Sequence, residues 1–152
     1  MDHARLFGFE SELESNLTYI PLAVRFKLDQ CGIKLSLAAW QLLSNEKRRE
    51  LLLARCDTAE NVANYRKLLC SFVRECMGDE PAFIVTDEDP LWAADNVPEQ
   101  IVRAIEAMGA QPLSRVQWGK LTPLERFALI KLSREGREHR KLAVALCEFG
   151  VN

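Results

Sequence analysis

The run Leu113-Ser114-Arg115-Val116-Gln117-Trp118-Gly119-Lys120-Leu121-Thr122-Pro123-Leu124-Glu125-Arg126 holds two helix starts, at Ser114 and at Thr122-Pro123, and the chain carries its signature positions twice. Leu35-Ser36, Trp40, Leu43-Ser44, Arg48 and Leu51 stand in the same order and at the same spacing as Leu113-Ser114, Trp118, Leu121-Thr122, Arg126 and Leu129, at an offset of 78. Upstream, Pro21 and Gly32 match Pro98 and Gly109 at an offset of 77. Downstream, Leu69-Cys70-Ser71-Phe72 matches Leu146-Cys147-Glu148-Phe149 at the same offset. An ordered set of this kind, holding two of the three tryptophans, reads as an internal duplication.

Each copy can be read as capped helices. Proline at a helix start needs no N–H partner, and glycine at the end supplies a left-handed residue. Ser36, Ser114, Ser44 and Thr122 read as N-caps, and Thr122-Pro123-Leu124-Glu125 as a capping box with Pro in the first turn. Asp57 or Thr58 opens a long helix in the same manner. Residues 21–31 read two ways. Val24, Phe26 and Leu28 alternate with Arg25, Lys27 and Asp29, as in a strand. The sister segment places Val97, Ile101, Ala104, Ile105 and Met108 at helical spacing, and shared descent favours helix for both. The map is eight helices, near 21–31, 37–43, 45–55, 58–77, 98–108, 115–120, 123–134 and 138–148. A four-helix unit of some 60 residues is marginal alone. The expected fold is therefore all-α: two sequence-related repeats, about 20–77 and 97–150, packed as one pseudo-twofold domain with an acidic linker at 79–97. Ala82-Phe83-Ile84-Val85 reads as a short extended piece in that linker, and Leu6-Phe7-Gly8-Phe9 as an extended N-terminal arm.

The chain has 152 residues, a formal net charge of −2 and a sequence pI of about 5.8. That balance is unlike the strongly basic domains that bind nucleic acid. No stretch reads as a signal peptide or a membrane span, so a cytoplasmic protein without nucleic-acid or membrane partners is expected. The five cysteines, Cys31, Cys56, Cys70, Cys76 and Cys147, form no CxxC pair, and His3 and His139 lie near opposite ends of the chain. The cysteines read as buried or half-buried thiols rather than as a metal site. Asp87-Glu88-Asp89 lacks the alternation and glycine of a calcium loop. No phosphate loop, GxSxG, HExxH or other catalytic signature occurs, so no cofactor and no catalytic residue is expected.

Charge is unevenly spread. Segment 115–141 holds eight basic residues against three acidic ones, and the linker holds six acidic residues and no basic one. A second cluster, Arg25, Lys27, Asp29 and Lys34, has Val102, Ala104, Glu106 and Gln111 at its sister positions. Arg25, Lys27, Lys34, Lys131, Arg134 and His139 are the candidate binding residues, read either as a docking face for an anion or acidic protein or as solvated helix surface. Arg48 and Arg126, each eight residues past its tryptophan, read as structural partners of the indoles.

Two long runs carry a family resemblance. Ile20-Pro21-Leu22-Ala23-Val24-Arg25-Phe26-Lys27-Leu28-Asp29, with Cys31-Gly32-Ile33-Lys34-Leu35 and Trp40, resembles the nitrate reductase-associated protein family. So does the run Leu121-Thr122-Pro123-Leu124-Glu125-Arg126-Phe127-Ala128-Leu129-Ile130-Lys131-Leu132-Ser133-Arg134, as do Phe7-Gly8-Phe9-Glu10 and Glu148-Phe149-Gly150 near the termini. The resemblance implies a setting in nitrate assimilation and brings no catalytic residues with it. The expectation is a non-enzymatic accessory protein that docks to a protein partner such as nitrate reductase or its molybdenum-cofactor machinery. The alternative is a small-anion or cofactor binder using the cleft between repeats. A third reading is an enzyme whose site, with His139, is assembled from distant residues.

Overall fold

The fold is described from a computed structural model that covers residues 4–13, 17–86, 89–134 and 139–151, without the side chains of 11–13 and 139. The described residues form eight α-helices: α1 Leu22–Cys31, α2 Leu37–Leu42, α3 Asn45–Leu53, α4 Ala59–Met77, α5 Glu99–Ala107, α6 Arg115–Lys120, α7 Pro123–Leu132 and α8 His139–Glu148. Two short strands, β1 Ile33–Lys34 and β2 Ala82–Phe83, pair antiparallel with Ile33 opposite Phe83. The chain is therefore mostly helical rather than wholly so. The extended piece expected at Ala82–Val85 is present in its first half as β2, and its partner β1 had no period to betray it.

Two compact units emerge, one of residues up to Leu6 together with Glu10–Thr86, the other of Phe7–Phe9 and the chain beyond Thr86. In the first unit, α1 packs against α4 and α3, and α2 against α4. Its core holds Leu22, Val24, Leu28, Ile33, Trp40, Leu51, Tyr65, Leu69 and Val73. In the second, α7 packs against α8 and α5 around Ile101, Ile105, Trp118, Leu129, Leu142 and Leu146. Phe7, Phe9 and Phe149 close it with ring contacts, Phe7 lying 5.4 Å from Phe9 and 5.2 Å from Phe149.

The helix starts follow from short polar side chains. Ser36, Ser44, Thr58, Ser114 and Thr122 each accept a backbone N–H from the third residue on. Thr122 and Glu125 form the reciprocal box, and Ser114 and Gln117 form a second. Such a cap contributes about 1 kcal/mol. Thr58, not Asp57, caps α4; Asp57 accepts from Arg55 and Asn61 instead. Gly32 and Gly109 end their helical segments at φ of 73° and 70°.

The tryptophan signature makes the same local structure in each unit. Trp40 Nε1 donates to Leu17 O at 2.7 Å, and Trp118 Nε1 donates to Ala94 O at 2.8 Å. Arg48 Nε donates to Trp40 O and its Nη2 to Gln41 O. Arg126 Nε donates to Trp118 O and its Nη2 to Gly119 O. Arg126 also stacks 5.1 Å from the Trp118 ring. Short helices such as α2 and α6 leave a large share of their carbonyls without i+4 partners, and the arginine fork supplies donors to them.

The N-terminal arm departs from expectation. Gly8–Leu13 forms a 3-10 turn instead of an extended segment. The turn buries Glu10, whose Oε2 accepts the Leu22 N–H at 2.9 Å. Pro21 has no side-chain acceptor to offer α1, so a carboxylate from twelve residues upstream caps that helix and meets its positive dipole end.

Candidate functional site

Of the six candidate binding residues, Arg25, Lys34 and Arg134 are exposed and Lys131 is half-buried. Arg25 and Lys34 belong to the first unit, Lys131 and Arg134 to the second. Lys131 Nζ lies 5.2 Å from the Phe127 ring. The His139 side chain lies outside the described residues, as do Asp87 and Glu88 of the acidic triplet.

Lys27 departs from the exposed face on which the sequence set it. It is 3% exposed, and its ammonium points into the first unit. Nζ donates to Leu52 O and Ala54 O at 2.6 Å each and to Leu51 O at 3.4 Å. These are carbonyls at the C-terminus of α3, where the helix dipole is negative and N–H partners run out. The lysine is thus a cross-element cap on α3. Burial lowers its pKa from the ordinary 10.5 to about 8, partly offset by the Cys56 sulfur nearby.

Around it lies a buried polar cluster. Tyr65 Oη donates to Leu51 O at 2.9 Å, and its ring sits 5.7 Å from Lys27 Nζ. Burial holds the Tyr65 phenol well above its usual pKa. Cys56 Sγ lies 3.9 Å from Lys27 O, and Cys31 Sγ 3.6 Å from Leu28 O. Burial pushes Cys31 up to about 12 and Cys56 up to about 11. Both thiols stay protonated at neutral pH, which makes them poor nucleophiles and poor metal ligands. The cluster is chemically quiet: a satisfied cation, a satisfied phenol and two protonated thiols. Among the described residues no group of three or more His, Cys, Asp or Glu side chains could hold a metal ion, and no helix is long and apolar enough to cross a membrane.

The second unit solves the same problem with other residues. Ala104 stands at the sister position of Lys27. There, Gln100 of α5 donates to Ile130 O and Ser133 Oγ, and Ser133 Oγ donates to Ile130 O at 2.8 Å. The basic asymmetry between the two units is, at Lys27, a difference in how a helix end is satisfied.

The exposed chemistry lies elsewhere in the first unit. Phe83, Ile84 and Val85 are exposed, Val85 at 96%. Arg66 holds this segment from beneath, its guanidinium 4.4 Å from the Phe83 ring and its Nη1 donating to Cys31 O at 2.6 Å. Ile84 N–H donates to Gly32 O at 2.9 Å. Sequence reasoning marked the segment as extended but not as exposed, because four apolar residues in a row predict burial.

No curated protein and no solved structure matches this chain. One family model does, that of the conserved nitrate reductase-associated protein, and it matches residues 6–149. The match takes in both units, both tryptophan signatures and the Lys27 cap, and the chain belongs to the conserved nitrate reductase-associated protein family.

Proposed function

We propose that this chain is a non-enzymatic accessory protein of nitrate assimilation, acting in the cytoplasm by docking to a protein partner such as nitrate reductase or its molybdenum-cofactor machinery. The observation that carries this reading is the family match along nearly the whole chain. Lys27 and Tyr65, polar groups buried in the first unit, are spent on the carbonyls at the end of α3. A docking face is read in each unit by itself from its cations: exposed Arg25 and Lys34 in the first, exposed Arg134 with half-buried Lys131 in the second. Lys27 is removed from that face by its burial. The recurrence of the tryptophan–arginine bonding supports the reading of the two units as copies of one ancestral repeat.

The test is co-purification of the tagged chain from nitrate-grown cells. Enrichment of a nitrate-assimilation protein over a control bait, lost in a variant carrying Arg25→Glu and Lys34→Glu or one carrying Lys131→Glu and Arg134→Glu, is the expected result. Equal recovery with both variants rejects the cationic face. No enriched pathway protein rejects docking, and a thermal shift with nitrate, nitrite or molybdate in that case favours the small-anion reading.

A further inference from the structure

We draw no further inference here: the strongest candidate, the exposed apolar patch that Leu37, Ala38 and Leu42 make on α2 of the first unit, is an unpartnered helix face, and nothing in the structure shows what covers it.

Discussion

Lys27 shows how a single buried side chain can be misread and why. A lysine between Phe26 and Leu28 looks like a solvated charge, and its burial is tolerable only because three carbonyls of Leu51, Leu52 and Ala54 receive the ammonium. Lys27→Met keeps the apolar stem but takes the lysine donor from Leu52 O and Ala54 O, while Leu51 O keeps Tyr65 Oη, and is expected to cost about 2–4 kcal/mol in urea unfolding. The pH dependence carries a signature. Folding lowers Lys27 from 10.5 to about 8, so between those values the unfolded chain holds more protons and stability rises with pH. Folding raises Cys31 to about 12 and Cys56 to about 11 from 9, so above pH 9 the unfolded chain loses protons first and stability falls. Under reducing conditions the urea midpoint of the wild type is expected to climb from pH 8 to 9 and then decline. Lys27→Met should show no climb and a steeper decline. A climb that survives in the variant would assign it to another group.

The helices were legible because their grammar is local. A serine or threonine, three residues and an N–H suffice to place the starts of α2, α3, α6 and α7, which stand where the sequence puts them, while α4 starts one residue later, behind the second of its two cap candidates. For α1 the period was disguised by Lys27. With the lysine counted as a buried residue, Val24, Lys27, Leu28 and Cys31 make an ordinary helical stripe. What escaped depends on distant partners: Glu10 capping α1, and β1 together with its pairing to the expected β2. Of the candidate site residues, exposure was read correctly for Arg25, Lys34 and Arg134 and wrongly for Lys27, since nothing local announces three carbonyls from another helix. Gly32 offers the test of the β1–β2 strap. Gly32 and Gly78 both end helices at positive φ, 73° and 71°. A Cβ on Gly78 meets nothing within 4 Å, whereas one on Gly32 lies 2.9 Å from Ile84 O, a backbone atom. Gly78→Ala is expected to cost about 1 kcal/mol, the conformational cost alone. Gly32→Ala should cost at least about 1 kcal/mol more and speed exchange of the Ile84 amide, since the strap must shift. Equal costs would mean that β2 gives way freely.

The two units repeat one solution with separate parts, and that separateness can be measured. Arg48 bonds the carbonyls of Trp40 and Gln41; Arg126 bonds those of Trp118, Gly119 and Trp92, so none of these partners is shared. Each arginine presents Nε and Nη2 together to two successive carbonyls, a fork that lysine cannot reproduce. Arg48→Ala and Arg126→Ala are each expected to lower stability by about 1–3 kcal/mol, and Arg→Lys to recover less than half of that loss in either unit. With none of these carbonyls in common, the double alanine variant should cost the sum of the singles within about 0.5 kcal/mol. Urea titration read by tryptophan fluorescence follows all five variants, because Trp40 and Trp118 sit beside the mutated sites. Full recovery by lysine would reduce the fork to a point charge. A double variant costing far less than the sum would mean that the two signatures support a common element, and the picture of one structural device used twice would have to be replaced by one device split in two.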